Sequence, residues 1–114
     1  MKAFLINPLD ETITEVDHDN SDYKNISKAI DAKYFTTVQI HEDGDTIYLD
    51  DEGLLHGNQK HTFTLDKVFN QTYVGKGLVL GTNMRNGDAK DADCTIDDLK
   101  NRIEFNKLQV YLRR

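Results

Sequence analysis

The sequence contains one cysteine, one proline and no tryptophan in 114 residues. A single cysteine, Cys94, excludes an intrachain disulfide, so a reducing cytoplasmic setting is the expected one. No apolar run approaches the ~20 residues that span a bilayer. The short run near the N-terminus ends at Pro8, which makes it too short for a secretory signal. We therefore expect a cytoplasmic protein that makes no membrane contact.

Basic residues are also scarce: 14 Lys and Arg stand against 20 Asp and Glu, for a net charge of −6. This balance disfavours nucleic acid as a partner, because sequence-independent binding to phosphates needs an excess of cations. The acidity is uneven, with 13 acidic and 4 basic residues in 1–57 but 7 and 10 in 58–114. The acidic half either offers a surface to a basic protein or is simply a solvated surface.

The length fits one domain of ordinary size, spanning residues 1–114, and 38% hydrophobic content is enough for a core. Short apolar segments at 2–7 and 12–16, separated by a turn at Pro8, predict two strands. The spacing of Tyr23, Ile26 and Ile30 predicts a helix over residues 22–32 with one apolar stripe, capped by Asn20 or Ser21.

Period-two alternation over residues 34–40, followed by an Asp-Gly turn and the run at 46–49, predicts a β-hairpin. Residues 61–65 alternate again, and the Gly-bounded apolar run at 74–81 predicts a buried strand with close neighbours. Residues 83–93 are expected to form a loop before a second helix, which is capped by Thr95 and carries Ile96, Leu99 and Ile103 on its apolar face. A last edge strand is expected within 107–114. The predicted fold is α+β, a mainly antiparallel sheet with two short helices.

The glycines and carboxylates of the sequence do not have the spacing of motifs that would assign an activity. Gly75, Gly77 and Gly81 match neither a dinucleotide fingerprint nor a phosphate loop. The carboxylates between 88 and 98 supply oxygen ligands, but they lack the calcium-loop pattern. No cofactor or metal is therefore expected. His41 and His61 could meet across a sheet, but surface or hydrogen-bonded structural roles account for such histidines better. Cys94 precedes the second helix without an evident partner base.

Residues 46–58, with the sequence TIYLDDEGLLHGN, and the later strand VGKGLVLG resemble a family of short phage and bacterial proteins catalogued as domain of unknown function 3846. The shared pattern is a strand, an acidic Asp-Glu-Gly turn, a small polar turn and a Gly-bounded strand. The similarity is expected to cover residues 1–105, with the strand after 106 as an addition. The resemblance implies a phage-type accessory protein that binds a host protein in the host cytoplasm, and it brings no catalytic residues.

We accordingly expect a non-enzymatic protein-interaction module with an acidic surface. The candidate binding residues cluster around the acidic turn and the histidines that follow it: Asp50, Asp51, Glu52, His56 and His61. The alternative is a small-molecule or nucleotide-binding domain, and even an enzyme, with a pocket beneath residues 75–81. A third hypothesis is self-association through residues 107–114, because an added apolar strand can extend a sheet across a dimer.

Overall fold

Strands are the commonest regular element among the described residues. The computed structural model describes residues 1–51, 61–65 and 71–107. The strands in these residues are β1 (Lys2–Asn7), β2 (Thr12–Asp17), β3 (Phe35–Gln39), β4 (Thr46–Asp50), β5 (His61–Leu65), β6 (Gln71–Val74), β7 (Gly77–Thr82), β8 (Ala89–Lys90) and β9 (Ile103–Lys107). The helices are α1 (Lys24–Ala29) and α2 (Ile96–Arg102). This is an α+β fold, as predicted.

The strands form two sheets in which every described pair is antiparallel. The main sheet has the order β2-β1-β7-β4-β3, with β8 paired to β7. The smaller sheet has the order β6-β5-β9. The hairpins predicted for β1–β2 and β3–β4 are both present, with Ile6 opposite Ile13 and Val38 opposite Ile47.

Side chains alternate between the two faces of the main sheet along its three central strands, β1, β7 and β4. The buried ones therefore form two separate cores, one on each face. Phe4, Ile47 and Val79 point to the face covered by the smaller sheet and α2. Leu78 and Leu80 point to the opposite face, where Ile26 and Ile30 of the α1 segment cover them. Helix α1 and helix α2 therefore lie on opposite faces of the main sheet.

The buried strand expected at 74–81 begins later than predicted. Gly75 has a φ of +86° and separates β6, which the sequence did not predict, from β7. The expected close neighbours are confirmed at Gly81, where a Cβ atom would lie 2.3 Å from the carbonyl oxygen of Asp91. The backbone of β7 can thus approach the 91–95 segment only because this position has no side chain.

Other predicted boundaries need correction at the helices. Helix α1 is shorter than residues 22–32, and its N-cap is Tyr23, which makes no side-chain capping bond, rather than Asn20 or Ser21. The prediction that Tyr23 shares the buried stripe is wrong, since this side chain is 69% exposed. Its position ahead of the first helical turn places it beyond the face that packs on the sheet.

The second helix and the residues around it agree with the prediction in some respects and differ from it in others. Thr95 is the N-cap as predicted, and its Oγ1 accepts a hydrogen bond from the backbone N–H of Asp98 at 3.1 Å. Ile103, expected on the helix, instead begins β9 with extended backbone, because pairing with Leu65 of β5 takes over at that residue. The predicted loop at 83–93 contains the short strand β8.

Among the described strands, β9 lies at one side of the smaller sheet and ends at Lys107, which is the one described residue of the last strand expected within 107–114. Residues 108–114 of that prediction lie outside the described residues. Within the described ranges, neither helix has the length and apolar character required to cross a membrane.

Candidate functional site

The turn between β3 and β4 places His41 and Asp45 next to each other. The backbone N–H of Ile40 donates to the carbonyl of Asp45 at 2.8 Å, and the N–H of Gly44 donates to the carbonyl of His41 at 3.1 Å. Gly44 has a φ of +108°, and a Cβ atom here would lie 2.5 Å from the carbonyl oxygen of Thr82. The Asp-Gly signal in the sequence thus produces a tight turn that packs against the end of β7.

Asp45 is a fully buried carboxylate that fastens this turn to the segment before α2. Its Oδ1 accepts from the backbone N–H of Asp93 at 2.9 Å, and its Oδ2 accepts from the N–H of Cys94 at 2.8 Å. Burial alone raises the pKa of Asp45, but the hydrogen bonds from Asp93, His41 and Cys94 outweigh it, and the pKa lies below its usual value. The ionised carboxylate therefore holds together two segments that lie far apart in the sequence.

His41 connects this anchor to α2. Its Nδ1 lies 3.0 Å from Oδ2 of Asp45, and because an ionised carboxylate only accepts, Nδ1 carries the proton. Its Nε2 lies 2.8 Å from a guanidinium nitrogen of Arg102 and 3.1 Å from Oδ2 of Asp98. The neutral ring accepts from Arg102, whereas a ring protonated on both nitrogens would donate to Asp98 instead.

An open concavity surrounds this pair, and we call it the His41 pocket. It is lined by His41, Glu42, Asp43, Asp93, Cys94, Thr95 and Asp98. Four of these side chains are carboxylates: Glu42 and Asp43 in the β3–β4 turn, Asp93 in the segment before α2, and Asp98 in the first turn of α2. The Lys90 ammonium lies 3.1 Å from the carboxylate of Asp93, and this ion pair is close to half exposed on each side. The pocket presents mainly negative charge on a framework fixed by Asp45.

The donor atoms of His41, Asp45 and Cys94 lie within 4.8 Å of one another, which is close enough to share a metal ion. The chemistry of these donors opposes that use. Burial raises the pKa of the Cys94 thiol to about 12, and the negative charge of Asp45 adds to the shift, so the thiol keeps its proton. Both Asp45 oxygens already accept backbone hydrogen bonds. The group fits a structural anchor better than a metal centre or a thiol nucleophile.

The candidate binding residues named from the sequence lie elsewhere. Asp50 ends β4 and is half-buried, at the opposite end of that strand from the Asp45 turn. Asp51 is exposed, and its backbone N–H donates to the carbonyl of Tyr34 at 3.2 Å. Glu52 and His56 lie outside the described residues, and for His61 only the backbone, in β5, is described. Asp50 and Asp51 therefore do not belong to the His41 pocket.

Asp50 lines a separate small cavity beside the turn at Gly75. This cavity measures about 190 Å³ and is also lined by Leu9, Ile30 and Lys76. The Lys76 ammonium pairs with the carboxylate of Asp31, which lines the same cavity. A cavity was expected beneath residues 75–81, and this one lies at the start of that segment.

Sequence reasoning singled out His41 and the carboxylates at 93, 97 and 98 but missed Asp45. The strands that would join His41 to His61 belong to different sheets, and the register places His61 opposite Lys107, so the expected pairing of these histidines across one sheet is wrong. A local signal for the real partner exists, since His41 and Asp45 flank an Asp-Gly turn. Burial of Asp45 depends on contacts 48 and 49 residues away, which no local pattern encodes.

The described residues thus define a small α+β protein with an anionic surface pocket and no assembled catalytic group within them. Residues 1–104 match the family described as a domain of unknown function (DUF3846), and the chain belongs to this family. The match confirms the resemblance inferred from the acidic turn and the Gly-bounded strand. No curated protein and no solved structure matches the chain.

Proposed function

We propose that this protein is a non-enzymatic interaction module that receives a basic surface of another protein in the His41 pocket. One observation carries the proposal: four carboxylates from two distant chain segments converge on an open concavity. Electrostatic complementarity of this kind steers a cationic partner and sets its orientation. The phage-type accessory role, the host protein as partner and the cytoplasmic location belong to the same proposal and rest on the family resemblance.

The framework of the pocket supports binding because it is organised before a partner arrives. The buried Asp45 carboxylate fixes both carboxylate-bearing segments through backbone hydrogen bonds of 2.8 and 2.9 Å. Less ordering entropy is then lost on association than with flexible loops. A lysine or arginine of the partner would compete with Lys90 for Asp93, whose present ion pair is solvent-exposed and therefore weak.

The geometry of the His41 pocket disfavours catalysis by His41 or Cys94. A general base needs an imidazole nitrogen available to its substrate, but Nε2 of His41 already lies 2.8 Å from Arg102. The thiol of Cys94, with its raised pKa, supplies little thiolate.

The test compares two variants that remove the same amount of negative charge. The pocket variant carries Glu42→Gln, Asp43→Asn and Asp93→Asn, and the control carries Asp10→Asn, Glu11→Gln and Glu15→Gln, which are exposed on the β1–β2 hairpin. Tagged protein is used to capture partners from host lysate, and the affinity for the purified partner is then measured at increasing salt. We expect salt-sensitive binding that falls at least about tenfold in the pocket variant and stays near wild type in the control. A partner held equally well by the pocket variant would refute the proposal.

The second candidate function is small-molecule binding in the cavity beside Gly75, favoured by the lining residues Asp50 and Lys76. Its volume of about 190 Å³ falls below the ~300 Å³ of typical ligand pockets, which excludes a whole nucleotide within it. A panel of small metabolites screened by thermal shift tests this candidate. A ligand that stabilises wild type but not Lys76→Met would favour it, and a panel without any ligand would count against it.

Self-association through residues 107–114 remains a prediction. It draws support from the edge position of β9, which ends at Lys107. Sedimentation of the chain with and without residues 108–114 measures it, and an unchanged mass would exclude the tail as the contact.

A further inference from the structure

A second charged surface lies on the opposite face of the main sheet from α2, and its sign differs from that of the His41 pocket. An open groove of about 610 Å³ runs between α1 and the start of β3, and we call it the α1 groove. Its lining includes Tyr23, Lys24, Lys28, Lys33 and Tyr34. Three of the four basic residues in 1–57 therefore lie on one surface, although that half of the chain is strongly acidic.

The packing of α1 fixes this arrangement. Ile26 and Ile30 are buried against Leu78 and Leu80, so the helix cannot rotate its other side into the core. Lys24 and Lys28 are one helical turn apart on the exposed side, with their Cβ atoms about 5–6 Å from each other. Such spacing suits contacts with successive phosphates along one strand.

The two tyrosines are exposed although the core nearby is apolar. Tyr23 is 69% exposed and Tyr34 is 56% exposed. The Lys33 ammonium lies 5.4 Å from the centroid of the Tyr34 ring, a cation–π arrangement that leaves the ring at the surface. Within the described part of the chain, Lys24, Lys28 and Lys33 make no ion pair with a carboxylate.

We propose that the α1 groove binds a short segment of single-stranded nucleic acid. Lysines along a groove neutralise the phosphates, and exposed aromatic rings provide surfaces on which bases stack without sequence preference. An acidic peptide would satisfy the lysines but would leave the two tyrosines without a role. A duplex is disfavoured because its bases are already stacked and unavailable to the rings.

Acidic groups near the groove and the net charge of −6 lower the affinity expected for nucleic acid. Asp31 also lines the groove, but its carboxylate pairs with Lys76 outside it. Asp22 accepts a hydrogen bond from the backbone N–H of Lys24 at 2.9 Å and lies beside the groove. Long-range repulsion from the rest of the protein weakens binding, so we expect a dissociation constant of about 10–100 µM at low salt.

Fluorescence anisotropy with a labelled oligothymidylate of about 10 nucleotides tests the proposal. With three lysines in contact, log K should fall with log salt at a slope of about −2. Tyr23→Ala and Tyr34→Ala should each weaken binding about tenfold with little change in that slope, because stacking is lost and the charges remain. The triple variant Lys24→Gln, Lys28→Gln and Lys33→Gln should abolish measurable binding.

Matched controls separate this surface from general charge effects. Lys2, Arg85 and Lys100 are exposed and lie off the groove, so changing all three to Gln alters the net charge equally and should leave affinity within about twofold. Circular dichroism melting confirms that each variant folds. Absence of binding at low salt, equal loss in the control variant, or tyrosine variants that bind like wild type would each overturn the proposal. Competition by a polyglutamate peptide stronger than by the oligonucleotide would assign the groove to an acidic peptide and likewise overturn it.

Discussion

Removing the Asp45 carboxylate tests the anchor on which the His41 pocket depends. Asp45→Ala leaves the backbone N–H groups of Asp93 and Cys94 and the Nδ1 proton of His41 without their acceptor. A hydrogen bond to a charged group contributes about 1.5–3 kcal/mol, so the two backbone bonds together correspond to about 3–6 kcal/mol. Water entering the space would recover part of this, and we expect a loss of about 4 kcal/mol in the free energy of unfolding.

Asp45→Asn keeps the volume and one acceptor oxygen but turns an amide –NH₂ toward a backbone N–H, so about 2 kcal/mol should be lost. Glu42→Gln is the matched control, since it removes one charge from the same pocket at an exposed position and should change stability by less than about 0.5 kcal/mol. Urea denaturation followed by circular dichroism measures all three. If Asp45→Ala costs under about 1 kcal/mol, the carboxylate is not the anchor that the hydrogen bonds indicate.

The lowered pKa of Asp45 adds a pH signature to this prediction. In acid the folded protein binds fewer protons at Asp45 than the unfolded chain does. Its contribution is therefore complete above the unfolded pKa of about 3.9 and is lost as the pH falls through the lower folded value. Asp17 and Asp19 also have lowered pKa values, so the wild-type curve contains their contributions too. The difference between wild type and Asp45→Asn isolates Asp45 and should shrink below about pH 4.

Three further changes test other parts of the structure. Burial and the positive Met1 ammonium lower the pKa of His18, so stability should fall as the pH drops below about 6.5, and His18→Gln should flatten that slope in urea titrations. Cys94, with a thiol pKa raised to about 12, should react with iodoacetamide at pH 8 about 100-fold more slowly in the folded protein than in urea. Gly81→Ala should lower stability by about 2 kcal/mol in thermal unfolding, because its Cβ would lie 2.3 Å from the Asp91 carbonyl oxygen.

Local patterns predicted most of the strands because each signal is contained within a few residues. Alternation predicted β3 and β5, a short apolar segment before Pro8 predicted β1, and the Asp-Gly pair at 43–44 predicted the β3–β4 turn. The N-cap role of Thr95 is likewise local, since its acceptor serves an N–H three residues later. The DUF3846 match extends over the region in which these signals lie.

The misplaced features depend on distant contacts or on where an element begins. Ile103 has helical spacing from Leu99, yet it joins a strand because β5 offers a pairing partner at Leu65. Tyr23 fits an apolar stripe by spacing, but the short helix begins after it and leaves the ring in solvent. Asp50 and Asp51 stand out in the sequence because they belong to an acidic turn, whereas the carboxylates of the His41 pocket are brought together by the buried Asp45.

The charge asymmetry of the sequence halves is not preserved in space, and this bears on how the two proposed surfaces work together. Glu42 and Asp43 from the acidic half meet Asp93 and Asp98 from the basic half in the His41 pocket. Three of the four lysines of the acidic half lie instead in the α1 groove. Because α1 and α2 pack on opposite faces of the main sheet, a basic protein at the first surface leaves the second one accessible. The proposals therefore predict that oligonucleotide affinity is unchanged by the Glu42→Gln, Asp43→Asn and Asp93→Asn variant, apart from the small gain that lower net negative charge gives.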